Sequence, residues 1–229
     1  MKTVIHQPNY FPYFGFFHKL SLADTFVIMD NTQYDKKFTN RNKIIVPNGT
    51  IWITVPINKE HKFLPNRMVK INNQLNWKEN HWQKIERSYK NSKFFNYYKN
   101  YFESIYNKEW DFLFELNYET LKKTIEWLGI KIEIIKESEL NVSGTSSERL
   151  INICKSIDSD TYVSGIGGKN YVNEDLFKKN NIKLEYQKFL HPEYKQHFSK
   201  SFVPNLSIID MLFNLGPDST KLILNQNNI

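Results

Sequence analysis

A chain of 229 residues with 40% hydrophobic content is long enough to bury the core of one domain. It has no apolar run near the roughly 18 residues that a membrane helix needs, and its apolar start is too short for a signal peptide, so we expect a cytoplasmic protein without membrane insertion. The net charge of +7 favours anionic partners: nucleotides, nucleotide-linked sugars, tRNA or acidic lipid head groups. No run of about five or six basic residues marks a dedicated nucleic-acid patch.

Strands and helices alternate from the start of the chain. A β-branched run predicts the first strand, and an amphipathic stretch predicts the helix that follows it. A polar loop over 31–43 precedes a hairpin, because Pro47-Asn48-Gly49 supplies its turn. The predicted elements of this part are the strand Lys2–Ile5, the helix Phe16–Ala23, the strand Thr25–Asp30 and the hairpin strands Ile44–Val46 and Ile51–Ile57.

The middle of the chain, about 76–129, has helical periodicity with one slip near Asn91, and it predicts a helical insertion. Strands and helices then alternate again. The further predicted elements are a helix over Asp111–Leu128, the strand Ile130–Ile135, a helix from the capping box Thr145–Glu148 to Ile157, the strand Thr161–Ser164, a helix ending near Asn181, the strand Ile182–Phe189 and the helix Asn205–Asn214.

This order predicts an α/β fold: a Rossmann-like, mostly parallel, doubly wound sheet with a helical insertion and a short C-terminal helix. We expect one domain over 1–229, with only the last few residues disordered.

Four polar clusters follow strands or turns of this predicted fold. The carboxyl ends of the strands are where open α/β sheets bind ligands, so these clusters are the candidate site. Each has a structural alternative: His18 packs or caps, the second cluster is a solvated loop, the glycine turn is an ordinary turn, and the segment of the fourth cluster starts a helix at Ser207 and Asp210. The clusters are His6, Gln7, Asn9, Tyr10 and His18; Asp30, Gln33, Tyr34, Arg41, Asn42 and Lys43; Ser164, Gly165, Gly168 and Tyr171; and His191, Tyr194 and Gln196.

Several other chemistries are not supported by the sequence. The lone Cys154 excludes an internal disulfide and a Cys-cluster metal site, and no His pair has metal-ligand spacing. The glycine loop from Gly165 lacks the Gly-Lys-Ser/Thr end of a phosphate-binding P-loop, and no Gly-x-Ser-x-Gly elbow is present. Ser207 and Asp210 fit a helix start better than a site.

Together, these motifs resemble the WbqC-like protein family over nearly the whole chain, from Met1 to about Gly216. The segments that carry the resemblance are His6-Gln-Pro-Asn-Tyr-Phe-Pro12, Gly15-Phe-Phe-His-Lys19, Ala23-Asp24, Gln33-Tyr34, Asn40-Arg-Asn-Lys43, Trp52, Val55-Pro56, Ser164-Gly165, Gly168, Tyr171, His191-Pro192, Tyr194, Gln196 and 206–216.

The resemblance implies a role in bacterial O-antigen or capsule biosynthesis, where nucleotide-linked amino sugars receive N-acyl or N-aminoacyl groups. We therefore expect an N-acyl or N-aminoacyl transferase acting on a nucleotide-linked amino sugar. Its donor is open between an amino acid with ATP, an aminoacyl-tRNA and an acyl-coenzyme A, and a homodimer is an open expectation.

In this hypothesis, His6 is the general base, assisted by Asp30 or His191, while Arg41 and Lys43 hold the diphosphate. Gln7, Asn9 and the backbone of 165–168 are the oxyanion or phosphate donors.

Two other functions remain open. One is a non-catalytic module that binds sugar nucleotides in a glycan assembly pathway. The other is an ATP-dependent nucleotidylyl transferase or adenylate-forming enzyme, because the start of the chain is loosely similar to nucleotidylyl transferases with a His-x-Gly-His loop. Here that pattern is degraded, with histidines at His6 and His18.

Overall fold

The computed structural model describes residues 1–226, and the side chains of 1–223. The expected disorder of the last few residues falls largely beyond this range. A parallel sheet of five strands forms the centre, and a two-stranded antiparallel hairpin lies apart from it. The strands are β1 (Lys2–His6), β2 (Thr25–Ile28), β3 (Arg41–Val46), β4 (Gly49–Thr54), β5 (Glu133–Lys136), β6 (Thr161–Ser164) and β7 (Lys183–Tyr186).

The strand order in the central sheet is β5-β2-β1-β6-β7. The chain therefore runs outward from β1 to one edge and then returns to the other side of β1. The order reverses between β1 and β6, and such a reversal leaves a crevice at the carboxyl ends of the two strands. The α/β, mostly parallel fold expected from the sequence is confirmed, and its crevice begins at His6 and Ser164.

Neighbouring residues of each central strand face opposite cores. Val4 and Phe26 belong to a large core, whereas Ile5, Val27 and Tyr162 belong to a smaller one. This alternation follows from the period of two in a strand, and it shows that the sheet is covered on both faces.

The larger core is covered by α1 and by the helices of the insertion, and the smaller one by α5 and α6. The helices are α1 (Phe14–Leu20), α2 (Trp77–Tyr89), α3 (Phe95–Asn107), α4 (Leu113–Trp127), α5 (Ser146–Ser156), α6 (Glu174–Lys179), α7 (Ile208–Leu215) and α8 (Asp218–Gln226). The slip near Asn91 is the break between α2 and α3.

Local details differ from the sequence expectations. The hairpin strands each begin earlier than predicted, at Arg41 and Gly49, because their ladder runs from Val46–Gly49 to Arg41–Thr54. The Thr145 side chain makes no capping hydrogen bond, so the predicted capping box does not form. The glycine loop leads into a short 3₁₀ helix before α6, and α8 was not predicted.

The loop after β1 is held in place by hydrogen bonds to the backbone carbonyl of Phe11. Phe11 has a φ of 42°, which is unfavourable for a bulky residue. Its carbonyl oxygen accepts a hydrogen bond from Asn42 Nδ2 at 2.6 Å and another from Ser207 Oγ at 3.0 Å. Ser207 also caps α7 by accepting from the N–H of Ile209, as expected. The loop is thereby tied to the hairpin and to the C-terminal helices.

Gly216 ends α7 in a conformation that suits only glycine. Its φ is 58° and its ψ −136°, and a Cβ there would lie 2.4 Å from the Phe94 ring. We therefore expect Gly216→Ala to lower the free energy of unfolding by about 2 to 4 kcal/mol. Urea denaturation measures this change. Gly167→Ala is the matched control, since a Cβ at Gly167 meets no atom within 4 Å. Equal stability of the two variants would contradict the argument.

Candidate active site

A two-lobed cleft lies over the strand reversal, at the carboxyl ends of β1 and β6. Its lobes have volumes of about 570 and 470 Å³. Both lobes are lined by Ile5, His6, Asn9, Phe38, Tyr162 and Tyr171. His6 therefore stands where the two lobes meet, which is the place that the strand order predicts for a ligand.

The larger lobe, which we call the glycine pocket, is lined by Gly165, Gly167 and Gly168. It also contains two lysines, Lys19 and Lys188. No carboxylate occurs among the described residues that line it. Its positive charge is thus uncompensated within the pocket, which favours an anionic ligand.

The glycines of this pocket differ in what the fold requires of them. A Cβ at Gly168 would lie 2.0 Å from Ser164 Oγ, so Gly168 packs closely against β6. A Cβ at Gly165 or Gly167 would meet no protein atom within 4 Å, and neither residue has a positive φ. Packing therefore does not explain these two glycines, and they leave the backbone open to close approach by a ligand.

The smaller lobe, which we call the Arg149 pocket, has balanced charges. Arg149, at the start of α5, donates from Nε to Glu137. Lys37 Nζ lies 3.4 Å from Asp35 Oδ2, and the two side chains form an ion pair. Because its cations are paired, this lobe suits a less charged ligand than the glycine pocket does.

His6 is held as one tautomer. Its Nδ1 lies 2.9 Å from the backbone oxygen of Gln7, and a carbonyl only accepts, so Nδ1 carries the proton and Nε2 keeps its lone pair. Burial, with a smaller contribution from the positive charge of Lys19, lowers the pKa of His6 to about 3. His6 is therefore neutral at pH 7 and only weakly basic.

Lys19 is a residue of the site that the sequence reasoning missed. Its side chain is 5% exposed, lines the glycine pocket and forms no ion pair among the described residues. Burial lowers the pKa of Lys19 to about 7. At neutral pH a large fraction of this amine is unprotonated, which is the condition for a base or nucleophile. The sequence did contain one signal for Lys19: it follows Gly15 by four residues, so both lie on the same face of α1, and Gly15 also lines the pocket.

The cleft brings together seven of the residues proposed from the sequence. They come from three of the four polar clusters, and they are His6, Gln7, Asn9, Asn42, Gly165, Gly168 and Tyr171. Of these, Asn42 is buried and also holds the Phe11 carbonyl, so it has a structural duty of its own.

A second group of proposed residues is buried in hydrogen-bond networks outside the cleft lining. Asp30 accepts from the Ser138 N–H at 2.8 Å and from Ser138 Oγ at 2.6 Å. The Tyr10 hydroxyl lies 2.6 Å from that of Tyr106. Nδ1 of His18 lies 2.7 Å from Gln187 Nε2. These contacts fix the loops around the cleft.

Tyr194 and Gln196 belong to a network around a buried carboxylate. Tyr194 Oη donates to Asp210 Oδ2 at 2.7 Å, and Gln196 Nε2 donates to the same oxygen at 2.9 Å. Tyr89 donates to the other oxygen at 3.1 Å. Burial raises the pKa of Asp210, against the opposing effect of these bonds. The network joins the segment after β7 to α7 and α2.

The remaining proposed residues lie beside the cleft rather than in its lining. Gln33 and Tyr34 line a separate surface groove, whereas Arg41 and Lys43 lie over the Trp52 ring. His191 packs against Phe14, Phe189 and Phe202, and Ser164 Oγ donates to the Gly165 carbonyl.

No group of three or more His, Cys, Asp or Glu side chains in the described part of the chain has an arrangement that could hold a metal ion. No helix in residues 1–226 is long and apolar enough to cross a membrane.

Comparison with known proteins identifies the family. The model of the WbqC-like protein family matches residues 7–222. The chain belongs to the WbqC-like family. Its sequence is also similar to that of an uncharacterized protein of Mycobacterium tuberculosis, Rv1507c, with 31% identity over 221 residues and coverage of 95% of each chain. No solved structure is significantly similar to this WbqC-like chain.

The buried amine of Lys19 makes a prediction about stability. Its pKa is about 7 in the fold and about 10.5 in the unfolded chain, so the unfolded state binds more protons between these values and stability rises with pH across that window. We expect Lys19→Met to raise the free energy of unfolding at pH 6 by about 2 to 4 kcal/mol, with a smaller gain at pH 9.

Urea denaturation at pH 6 and pH 9 measures both values. Lys188→Met is the control, because Lys188 lines the same pocket but is exposed. A destabilised Lys19→Met variant at pH 6 would contradict the cost assigned to the buried amine.

Proposed function

We propose that this WbqC-like protein is a cytoplasmic transferase that places an acyl or aminoacyl group on the amino group of a nucleotide-linked sugar, in the synthesis of a bacterial surface glycan such as an O-antigen. The observation that carries the proposal is Lys19, a buried amine without an ion-pair partner among the described residues, in a pocket of positive charge.

Acyl transfer to a sugar amine begins with the removal of a proton. The sugar ammonium must lose it before nitrogen attacks the acyl carbonyl, and a base with a pKa near the working pH does this best. Lys19 has a pKa of about 7, whereas that of His6 is about 3. We therefore assign the base to Lys19 in place of His6.

His6 then has a positioning role. Its Nε2 lone pair lies on an imidazole that is fixed by the Gln7 carbonyl at the junction of the two lobes. It accepts a hydrogen bond from the sugar amine or a neighbouring hydroxyl. As the C–N bond forms, the bond between the acyl carbon and the donor's leaving group breaks. Lys19 holds the first proton that the sugar nitrogen loses, and the leaving group takes up the second.

The anionic part of the acceptor fits the glycine pocket. A diphosphate there lies against the open backbone at Gly165 and Gly167, and the exposed ammonium of Lys188 supplies charge. The sugar then extends toward His6, and the acyl donor enters from the Arg149 pocket. This arrangement assigns the two lobes to the two substrates.

The reaction is tested by mass spectrometry with purified protein. UDP- and dTDP-linked amino sugars are each paired with amino acids plus ATP, charged tRNA or acyl-coenzyme A. A donor-dependent mass gain on one sugar, lost in Lys19→Met and kept in Lys188→Met at saturating sugar, is the expected result. Binding without product indicates a non-catalytic module, and pyrophosphate release without sugar modification indicates the nucleotidylyl alternative.

The assignment of the base predicts a pH profile. We expect kcat/KM to rise with pH through a pKa near 7, because Lys19 must be unprotonated. His6→Gln should lower kcat by about 10-fold to 100-fold and leave this limb in place, since the amide oxygen still accepts a hydrogen bond. Initial rates from pH 5.5 to 9 measure both. If the rise of kcat/KM with pH disappears in His6→Gln, the general base is His6 and not Lys19.

Because a Cβ at Gly165 or Gly167 meets no protein atom, a substitution there should change ligand affinity without changing the stability of the fold. We expect Gly167→Ala to weaken binding of the nucleotide-linked sugar by at least about 10-fold while the free energy of unfolding changes by less than about 0.5 kcal/mol. Calorimetric titration and urea denaturation measure the two quantities. Unchanged affinity would show that no ligand approaches the backbone there.

A further inference from the structure

The positive charge of this protein is concentrated in one segment. Residues 31–63 contain six Lys or Arg and two Asp or Glu, a net charge of +4, while the rest of the chain contributes +3. The segment comprises the loop after β2, the hairpin and the following 3₁₀ helix over Lys59–Phe63. These basic residues do not form a continuous run in the sequence, because uncharged residues of the loop and the hairpin separate them.

Most of these cations have no acidic partner. Lys37 pairs with Asp35, but the other five form no ion pair within the described residues. These five are Lys36, Arg41, Lys43, Lys59 and Lys62. Their charge is therefore available to an external anion.

Large aromatic side chains are exposed among these cations. Phe63 is 69% exposed, Phe38 46% and Trp52 36%. Phe38 and Trp52 lie with ring centroids 6.0 Å apart, and Arg41 lies 4.4 Å from the Trp52 ring. Interleaved cations and exposed rings are the combination on which unpaired nucleobases stack while phosphates are neutralised.

This basic aromatic face is continuous with the cleft at two points. Phe38 lines both lobes. Asp35 lines the Arg149 pocket and also a neighbouring groove of about 710 Å³, which we call the lysine groove. Lys36, Lys59, Lys62 and Phe63 line that groove. A polymer bound along the face thus has its end at the lobe assigned to the acyl donor.

We infer that the face formed by residues 31–63 binds RNA, and that the acyl donor of the proposed transferase is an aminoacyl-tRNA. The phosphates of its unpaired acceptor end lie along this face, and only the terminal aminoacyl nucleoside enters the Arg149 pocket. The identity of the donor rests on the proposed acyl transfer, whereas the RNA binding itself does not. A small thioester would occupy one pocket and would not explain unpaired cations spread over a hairpin face and a separate groove.

The test measures binding of uncharged tRNA and needs no turnover. Fluorescence anisotropy is recorded from 50 to 300 mM salt for the unmodified protein and for Lys36→Gln/Lys59→Gln/Lys62→Gln. We expect tRNA binding to be about 10-fold to 100-fold weaker at 100 mM salt in the triple variant, and the slope of log affinity against log salt to fall by about 2. Phe63→Ala should weaken binding by about 10-fold through lost stacking.

A matched triple variant controls for net charge. Lys131→Gln/Lys178→Gln/Lys179→Gln removes the same charge from exposed lysines outside the face. Equal weakening in both triple variants, or no tRNA binding by the unmodified protein, overturns the inference.

Competition identifies the ligand and separates this inference from the transferase proposal. A single-stranded oligonucleotide ending like a tRNA acceptor should displace tRNA, and coenzyme A should not. Displacement by coenzyme A at equal concentration overturns the RNA assignment. tRNA binding with no sugar modified by any donor supports RNA binding by the face and refutes the transferase. Sugar modification from acyl-coenzyme A but not from charged tRNA supports the transferase and refutes aminoacyl-tRNA as its donor.

Discussion

The backbone carbonyl of Phe11 is the contact on which the arrangement of this fold depends. Its positive φ is costly for an aromatic residue and persists because Asn42 and Ser207 both donate to that oxygen. Asn42 is in the hairpin, and Ser207 caps α7. One acceptor therefore fixes three distant parts of the chain, and it sets the course of the loop that carries Gln7 and Asn9 into the cleft.

The hydrogen bonds to the Phe11 carbonyl stabilise the fold, whereas the burial of Lys19 destabilises it. Lys19 is 5% exposed and has no ion-pair partner among the described residues. An apolar side chain at this position would therefore give a more stable fold than the ammonium does. The Lys19 nitrogen lies 5.9 Å from the centroid of the Phe16 ring, and this contact offsets only a small part of that cost. Such a residue is usually retained for its chemistry, which is why a lowered pKa inside a cleft indicates a functional site.

The sequence predicted the position of the cleft better than it predicted which residues line it. Periodicity placed the strands well enough for the carboxyl ends of β1 and β6 to mark the cleft, because a parallel sheet brings those ends together. It could not separate polar residues that face the cleft from those that bond within the protein. Tyr194 and Gln196 have ligand-binding chemistry but surround Asp210, 14 to 16 residues further along the chain. Lys19 was missed because its importance comes from burial, which residue type and spacing do not reveal.

Lys19 and a diphosphate cannot be direct partners if Lys19 is the base. A phosphate in contact would favour the charged ammonium and raise the pKa of Lys19 above the range in which it accepts a proton. The phosphates must then lie nearer the exposed Lys188 and the Gly165–Gly167 backbone, whose N–H groups do not titrate. Under the proposed function, the two tasks therefore fall to groups of different burial: backbone N–H groups and the exposed Lys188 would hold the anion, and the buried amine of Lys19 would exchange its proton with the substrate.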